Sequence, residues 1–162
     1  QYGVAPVPAR HNKMEQEAMA KTKTFRTAKS LGLKEKHYCA LVKALVELES
    51  GRIKHDSVVA WAGGFGKDKV DGFNMSYWRT ATGSCGTVCC IGGTAEVVSG
   101  LPMYTLSSVA DERGEKSGLH RLFYPYELGD EDWDNITPKQ ATRALRNYLM
   151  TGKPRWREAV KE

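Results

Sequence analysis

The sequence lacks long apolar runs and the short motifs that identify several common functional classes. None of its 162 residues lies in an apolar run near the ~20 residues that a membrane-spanning helix needs, so we expect no such span. The glycine cluster at 63–66 is not followed by Gly-Lys-Ser or Gly-Lys-Thr, which excludes a common phosphate-binding loop. No helix-turn-helix spacing, zinc finger or RNA-binding signature is present, so any nucleic-acid binding would tolerate different sequences.

Cysteine is also scarce, and its spacing argues against common metal and disulfide frameworks. The chain has four cysteines and no Cys-x-x-Cys pair, the spacing of many zinc sites. A disulfide between the adjacent Cys89 and Cys90 would be strained. We therefore expect reduced thiols, no bound metal and no cofactor. The residues from which a tetrahedral zinc site could still be built are Cys85, Cys89, His37, Cys39, His55 and His120.

The composition is that of a globular protein. Hydrophobic residues make up 41% of the chain and charged residues 27%, which are ordinary values for such a domain. At this length a single domain buries about two thirds of its unfolded surface. We expect one globular domain over residues 34–162, preceded by an N-terminal arm over residues 1–33. The chain begins with Gln1 rather than Met, so we also expect a segment upstream that is missing or was removed, such as a targeting signal.

The net charge of +5 comes entirely from the N-terminal part of the chain. Residues 1–37 hold eight basic and three acidic residues, whereas residues 38–162 hold 16 of each. A basic arm on a neutral body is typical of binding to nucleic acid or to an acidic protein surface, and a solvated arm that only aids solubility is the alternative. The basic residues of this segment are Arg10, Lys13, Lys21, Lys23, Arg26, Lys29, Lys34 and Lys36.

The arm itself has two parts. Residues 1–13 contain Val-Ala-Pro-Val-Pro-Ala, which favours an extended or polyproline-like backbone. Residues 14–29 are rich in Ala, Lys and Glu and predict a helix with a weak apolar face of Ala18, Phe25 and Ala28.

Helical periodicity dominates the remainder of the chain. Residues 34–50 carry an apolar stripe with three- and four-residue spacing, and Gly51 follows as a stop. Residues 104–114 and 118–126 predict two shorter helices. The last predicted helix begins with a capping box formed by Thr137 and Gln140, with Pro138 at its first position, and it ends at Gly152. The sequence thus predicts a mainly α fold, a compact single-domain helical bundle with irregular Gly-rich loops, in which one small hairpin could lie within 63–72.

Residues 84–100 hold three of the four cysteines and are predicted to form a central helix. The apolar residues of this stretch recur at helical spacing, with Ser84 as the N-cap and Gly100 as the C-terminal glycine. Each mid-helix glycine costs about 1 kcal/mol relative to Ala. Because the stretch keeps both Gly92 and Gly93, we expect a neighbouring backbone to approach the helix closely there.

Cys85 is the candidate nucleophile under an enzymatic hypothesis. At the start of a helix, the macrodipole and free N–H groups would lower the pKa of its thiol. His120 is the candidate base, with Asp111 or Asp134 to orient it, as a cysteine-dependent hydrolase or transferase requires. The opposing interpretation is that the cysteines are small apolar residues of a helical core, because no nucleophile signature of a known family is present.

The aromatic residues are expected to belong to the core or its edge. A subset that clustered on the surface would instead indicate a protein interface. The residues concerned are Trp61, Trp78, Phe123, Tyr124 and Trp133.

Four segments within 36–156 resemble a group of small uncharacterised bacterial and phage proteins. They read Phe-Asn-Met-x-x-Trp at 73–78, Cys-Gly-Thr-Val-x-Cys-Ile-x-Gly at 85–93, Leu-Phe-Tyr-Pro at 122–125 and Ile-Thr-Pro-x-Gln-Ala at 136–141. In that group an aromatic residue or His often follows the last glycine of the second segment, where this chain has Thr94. The resemblance leaves out the basic arm and implies a coherent domain without an established activity.

Together these patterns favour a non-enzymatic interaction or structural protein of bacterial or phage origin. We expect it to dock on a larger protein assembly through its basic arm, in the cytoplasm or within a virion. The alternatives are a cysteine-dependent enzyme that uses Cys85 and His120, and a sequence-tolerant nucleic-acid-binding protein. The arm residues expected to bind the partner are Arg10, Lys13, Lys21, Lys23, Arg26 and Lys29.

Overall fold

A computed structural model describes residues 24–83, 86–129 and 133–161. Within these ranges the chain is mainly α-helical, as predicted, and also contains one small sheet. The helices of the described residues are α1 (Glu35–Glu49), α2 (Ile91–Ser99), α3 (Thr105–Arg113), α4 (Gly118–Phe123), α5 (Pro138–Thr151) and α6 (Trp156–Ala159). The strands are β1 (Lys54–His55), β2 (Gly72–Phe73), β3 (Arg79–Ala81) and β4 (Thr87–Cys89).

Four of the predicted helices are confirmed as α1, α3, α4 and α5. The capping box of α5 forms as expected, because the Thr137 side chain accepts from the Gln140 N–H and the Gln140 side chain accepts from the Thr137 N–H. Gly152 ends α5 in the left-handed conformation. The short helix α6 was not predicted, since its four residues are too few to show a periodic pattern.

The predicted central helix over 84–100 is wrong in its first half. Residues Thr87–Cys89 form the strand β4, and helix α2 begins only at Ile91 with Cys90 as its N-cap. Strand β4 is buried and paired on both sides, so its two β-branched residues pack in a pleated sheet, which they favour over a helix. The C-terminal half of the prediction is confirmed, with Gly100 in the left-handed conformation.

The sheet has the strand order β1-β2-β4-β3, with parallel pairs β1/β2 and β2/β4 and an antiparallel pair β3/β4. The hairpin expected within 63–72 does not form. Instead, Ala62 donates to the Ala81 carbonyl and Ala81 donates to the Gly64 carbonyl, so this loop runs along β3. Strands of two or three residues that pair over long stretches of chain leave almost no periodic signal in the sequence.

The core lies between α1, α2 and α5 and continues under α3, α4 and α6. Its largest fully buried side chains include Trp156, Tyr148 and Phe73. Among the described residues, no helix combines the length and the apolar character needed to cross a bilayer.

The described end of the predicted arm packs against this body. Ala28, Leu31 and Leu33 are buried, and the Arg26 N–H donates to the Leu149 carbonyl at 2.8 Å. Of the helix predicted over 14–29, residues 14–23 lie outside the described ranges, and residues 24–29 form turns and irregular backbone.

Gly92 and Gly93 are needed where Trp78 crosses the first turn of α2. A Cβ atom at Gly93 would lie 1.6 Å from the Trp78 carbonyl oxygen, and one at Gly92 would lie 2.1 Å from the Trp78 ring. The close backbone approach predicted from these two glycines is therefore confirmed.

We expect Gly93→Ala to destabilise the protein by about 3 kcal/mol, because the clash is with backbone that cannot rotate away. The gain of about 1 kcal/mol in helix propensity does not offset this loss. Urea unfolding followed by circular dichroism measures the difference. The control is Gly83→Ala, whose added Cβ has its nearest neighbour, the Ala60 oxygen, at 3.9 Å. An unfolding midpoint for Gly93→Ala at or above that of the wild type would contradict the prediction.

Candidate functional site

The residues proposed from the sequence as functional are distributed over described and undescribed parts of the chain. Cys85 lies outside the described residues, as do Arg10, Lys13, Lys21 and Lys23. Arg26 and Lys29 are exposed on the segment that packs against α5. His120 lies on α4 and is buried.

Cys90, and not Cys85, occupies the start of helix α2. The prediction that Cys85 lies at the start of the helix is wrong. Strand β4 lies between Cys85 and Cys90 in the chain, and the helix begins only after it. The Cys90 side chain makes no capping hydrogen bond, and the main-chain N–H groups of Gly92 and Gly93 in the first turn act to lower the pKa of its thiol. The Cys90 Sγ atom also lies 3.9 Å from the Trp78 carbonyl oxygen, to which it donates.

Burial outweighs the helix N-terminus at Cys90. The thiol is 2% exposed, and desolvation raises its pKa to about 12 despite the N–H groups of Gly92 and Gly93, which act in the opposite direction. The Cys90 thiol is therefore neutral at physiological pH. Burial likewise raises the pKa of Cys89, whereas Cys39 is exposed. All three of these described cysteines are free.

His120 lies beside one of its two predicted orienting residues. Its Nε2 atom is 3.7 Å from Asp111 Oδ1, and its Nδ1 atom is buried without a hydrogen-bond partner. The imidazole packs between aromatic rings, with the Tyr124 centroid at 4.6 Å and the Tyr126 centroid at 6.3 Å. Asp134 lies in a short 3-10 helix, where its carbonyl oxygen is 2.8 Å from His55 Nε2.

The most distinctive feature near His120 is a group of aromatic side chains around an open cavity of about 170 Å³. We call Trp78, Tyr104, Tyr124, Tyr126 and Trp133 the aromatic cluster. Tyr104 is 48% exposed and Tyr126 is 58% exposed, while the other three are partly buried. The cavity is lined by Met75, Ser76, Trp78, Cys90, Tyr104, Ser107, Phe123, Tyr124 and Trp133.

Short-range ring contacts connect the members of the cluster. The Tyr126 and Trp133 centroids are 5.2 Å apart with the rings inclined at 56°, and Tyr124 stacks on Tyr126 at 6.1 Å. Trp78 lies 6.4 Å from Tyr104 and meets Phe123 edge to face at 5.2 Å. Trp78, Tyr104, Tyr124 and Trp133 line the cavity, and Tyr126 lies beside it against Tyr124 and Trp133.

A buried carboxylate holds one side of this wall in place. Glu96, on α2, is 1% exposed and accepts from Trp78 Nε1 at 2.7 Å, from the Tyr104 N–H at 3.0 Å and from the Leu106 N–H at 2.8 Å. It thereby ties Trp78 to the start of α3. Tyr104 has a φ of 66°, a left-handed conformation that costs conformational free energy in a non-glycine residue. The hydrogen bond from its N–H to Glu96 holds it in this conformation.

Two acidic side chains, Asp111 and Glu96, are close enough to the cavity wall to influence Tyr124. Burial raises the pKa of Tyr124 to about 12, and the Asp111 carboxylate contributes in the same direction. Glu96 and Asp111 thus act on the same part of the cluster. Burial also raises the pKa of Glu96, while its three hydrogen bonds oppose that shift.

Sequence reasoning missed Cys90 as the helix-start cysteine, and it missed Tyr104, Tyr126 and Glu96 as members of a site. Two signals pointed there. The aromatic residues Trp78, Phe123, Tyr124 and Trp133 were expected to indicate an interface if they clustered on the surface, and the segments 73–78, 85–93 and 122–125 that carry the resemblance each contribute residues to the cavity. Within the described part of the chain, no group of three or more His, Cys, Asp or Glu residues is arranged to hold a metal ion.

Comparison with known proteins gives no match to a family model, to a curated protein or to a solved structure. The site is therefore interpreted from its own residues.

In the folded protein at mildly alkaline pH, we expect iodoacetamide to label Cys39 and to leave Cys89 and Cys90 unmodified until urea unfolds the chain. The reason is that both buried thiols are inaccessible and have raised pKa values. Fragment-ion mass spectrometry locates the label, and Cys39 is the internal control. Labelling of Cys90 at a rate close to that of Cys39 would show the site to be open and reactive.

Replacing Glu96 with Leu is expected to cost about 3 kcal/mol or more, because three buried donors lose their acceptor. The loss is read from urea unfolding followed by tryptophan fluorescence, to which Trp78 and the other three Trp residues contribute. Glu112→Leu, the same substitution at an exposed position on α3, should change stability by about 0.5 kcal/mol or less. Equal effects of the two substitutions would refute the role assigned to Glu96.

Proposed function

We propose that the protein acts by binding a partner protein and not by catalysing a reaction. The aromatic cluster is its contact surface, and the basic arm ties it to a larger assembly. The single observation that carries this proposal is the exposure of the aromatic cluster around an open cavity.

Tyr and Trp are enriched in protein interfaces and supply most of the large energetic contributions in them. Two members of the cluster, Tyr104 and Tyr126, are about half exposed, which is a large apolar area to leave in water on a small domain. Tyr124 and Trp133 continue the same surface. A partner that covered these rings would remove their apolar area from water.

The state of the described thiols supports binding over thiol catalysis. A cysteine nucleophile must be ionised, and the thiol at the start of α2 is neutral because it is buried. His120, the candidate base, has Nε2 directed at Asp111 and Nδ1 enclosed among side chains. Of the residues in the enzymatic hypothesis, the structure describes His120, Asp111 and Asp134, whereas the nucleophile Cys85 lies outside the described residues.

The basic arm supplies the second contact. Arg26 and Lys29 are exposed at its described end, and four more basic residues precede them in the sequence. We propose that the arm is extended and lies on an acidic surface of the assembly, of the bacterial or phage kind that the sequence resembles. The protein then works in the cytoplasm or within a virion.

The test uses the full-length tagged protein as bait in an extract of the cells that produce it, with quantification by mass spectrometry. We expect Tyr126→Ala with Trp133→Ala to reduce the specifically enriched proteins about ten-fold or more, because truncated interface aromatics cost 2 kcal/mol or more. Neutralising Arg10, Lys13, Lys21 and Lys23 to Gln should weaken capture of the same proteins.

The matched control is Val46→Ala, which truncates a 60% exposed apolar side chain on α1. Identical capture by the wild type and both variants would overturn the proposal. Fluorescence anisotropy with a short DNA duplex of random sequence tests the nucleic-acid alternative. Tight binding that falls steeply with salt and is lost with the arm charges would favour that alternative instead.

A further inference from the structure

We propose that the cavity within the aromatic cluster binds the side-chain ammonium group of a lysine on the partner protein. The proposal rests on the proposed function, and it names the chemistry that the contact surface recognises. An aromatic wall with nearby negative charge attracts a cation that carries an apolar stem.

The geometry provides the wall. The Trp78 and Tyr104 ring centroids are 6.4 Å apart with the rings inclined at 35°, and Trp78, Tyr104, Tyr124 and Trp133 all line the cavity. Ring faces carry negative electrostatic potential, and Trp and Tyr are the strongest partners of ammonium and guanidinium groups. The volume of about 170 Å³ equals that of about five or six water molecules, which suits one side chain rather than a larger ligand.

The charges favour a cation over a neutral apolar group. Neither Lys nor Arg lines the cavity within the described part of the chain. The carboxylate of Asp111 acts on Tyr124 at the cavity wall, and Glu96 lies behind Trp78 and Tyr104.

The basic side chain whose charge acts on Glu96 is held away from the cavity. Arg79 donates to the carbonyl oxygens of Phe65 at 2.8 Å and Lys67 at 3.3 Å, and to Asp68 Oδ1 at 3.1 Å. Its guanidinium is therefore bound to the loop beside β3. Neither Arg79 nor His120, which pairs with Asp111, is among the residues that line the cavity.

The test titrates three capped amino acids into the full-length, ¹⁵N-labelled protein: Nα-acetyl-lysine amide, its Nε-trimethyl form and Nα-acetyl-norleucine amide. The norleucine compound keeps the apolar stem and lacks the charge. The chain has four Trp residues, so the indole N–H signals of Trp78 and Trp133 report on the cavity. Those of Trp61, on the exposed loop, and Trp156, in the core, are internal controls.

We expect the two cationic compounds to shift the Trp78 and Trp133 signals and to bind roughly three- to thirty-fold more tightly than the norleucine compound. Asp111→Asn should weaken cation binding about three-fold and leave norleucine binding unchanged. Trp133→Leu should abolish the shifts at Trp78, and Trp133→Phe should retain them. The phenylalanine variant keeps the test decisive if the leucine variant does not fold.

Equal binding of norleucine and lysine, equal shifts at Trp61, or no shift up to the solubility of the compounds would each overturn the lysine assignment. If lysine fails while partner capture still depends on Tyr126 and Trp133, only this inference is lost. If partner capture is also independent of those residues, the proposed function fails as well.

Discussion

The contact between Trp78 and the first turn of helix α2 is the constraint on which the candidate site depends. The Trp78 carbonyl lies so close to Gly93 that any side chain there would overlap it, and the indole ring covers Gly92 in the same way. The indole N–H then reaches Glu96 on the same helix. One residue thus sets the distance between the sheet and α2.

This arrangement explains why the Cys90 thiol is neutral although it lies at the start of helix α2. The chain that crosses α2 at Trp78 also covers Cys90, so the sulfur contacts the Trp78 carbonyl and is almost fully shielded from water. In a water-exposed site, the same N–H groups would favour the thiolate. Burial reverses the result, because removing the thiolate charge from water costs more free energy than the two N–H groups provide by stabilising it. The same packing leaves the outer face of the Trp78 ring at the cavity wall.

The elements that could be predicted are those with local signals. Helix α1 was found from its apolar stripe, and α5 from the capping box of Thr137 and Gln140. Strand β4 was misassigned, because Val88 and Cys89 fit a helical stripe as well as a buried strand, and only the pairing with β2 and β3 decides between them. Parallel pairing between distant short strands has no local sequence signature.

The candidate site was less predictable than the fold for a related reason. Its rings come from positions just before β3, before α3 and after α4, and from the short helix at 133–135, so no single stretch of sequence contains it. The sequence did suggest that surface aromatics would indicate an interface, but it named only part of the set. Tyr104 and Tyr126 lie in different parts of the chain, and only the tertiary structure places Tyr104 against Trp78 and Tyr126 against Trp133.

The hydrogen bond from Arg26 to Leu149 has a consequence for how the protein is made. It joins a segment near the start of the described chain to the last turns of α5, and Ala28, Leu31 and Leu33 bury their side chains in the same core. A ribosome releases the first segment long before it synthesises the second. The basic stretch therefore leaves the ribosome before its docking site exists, and the nascent chain completes this contact only after α5 has been synthesised.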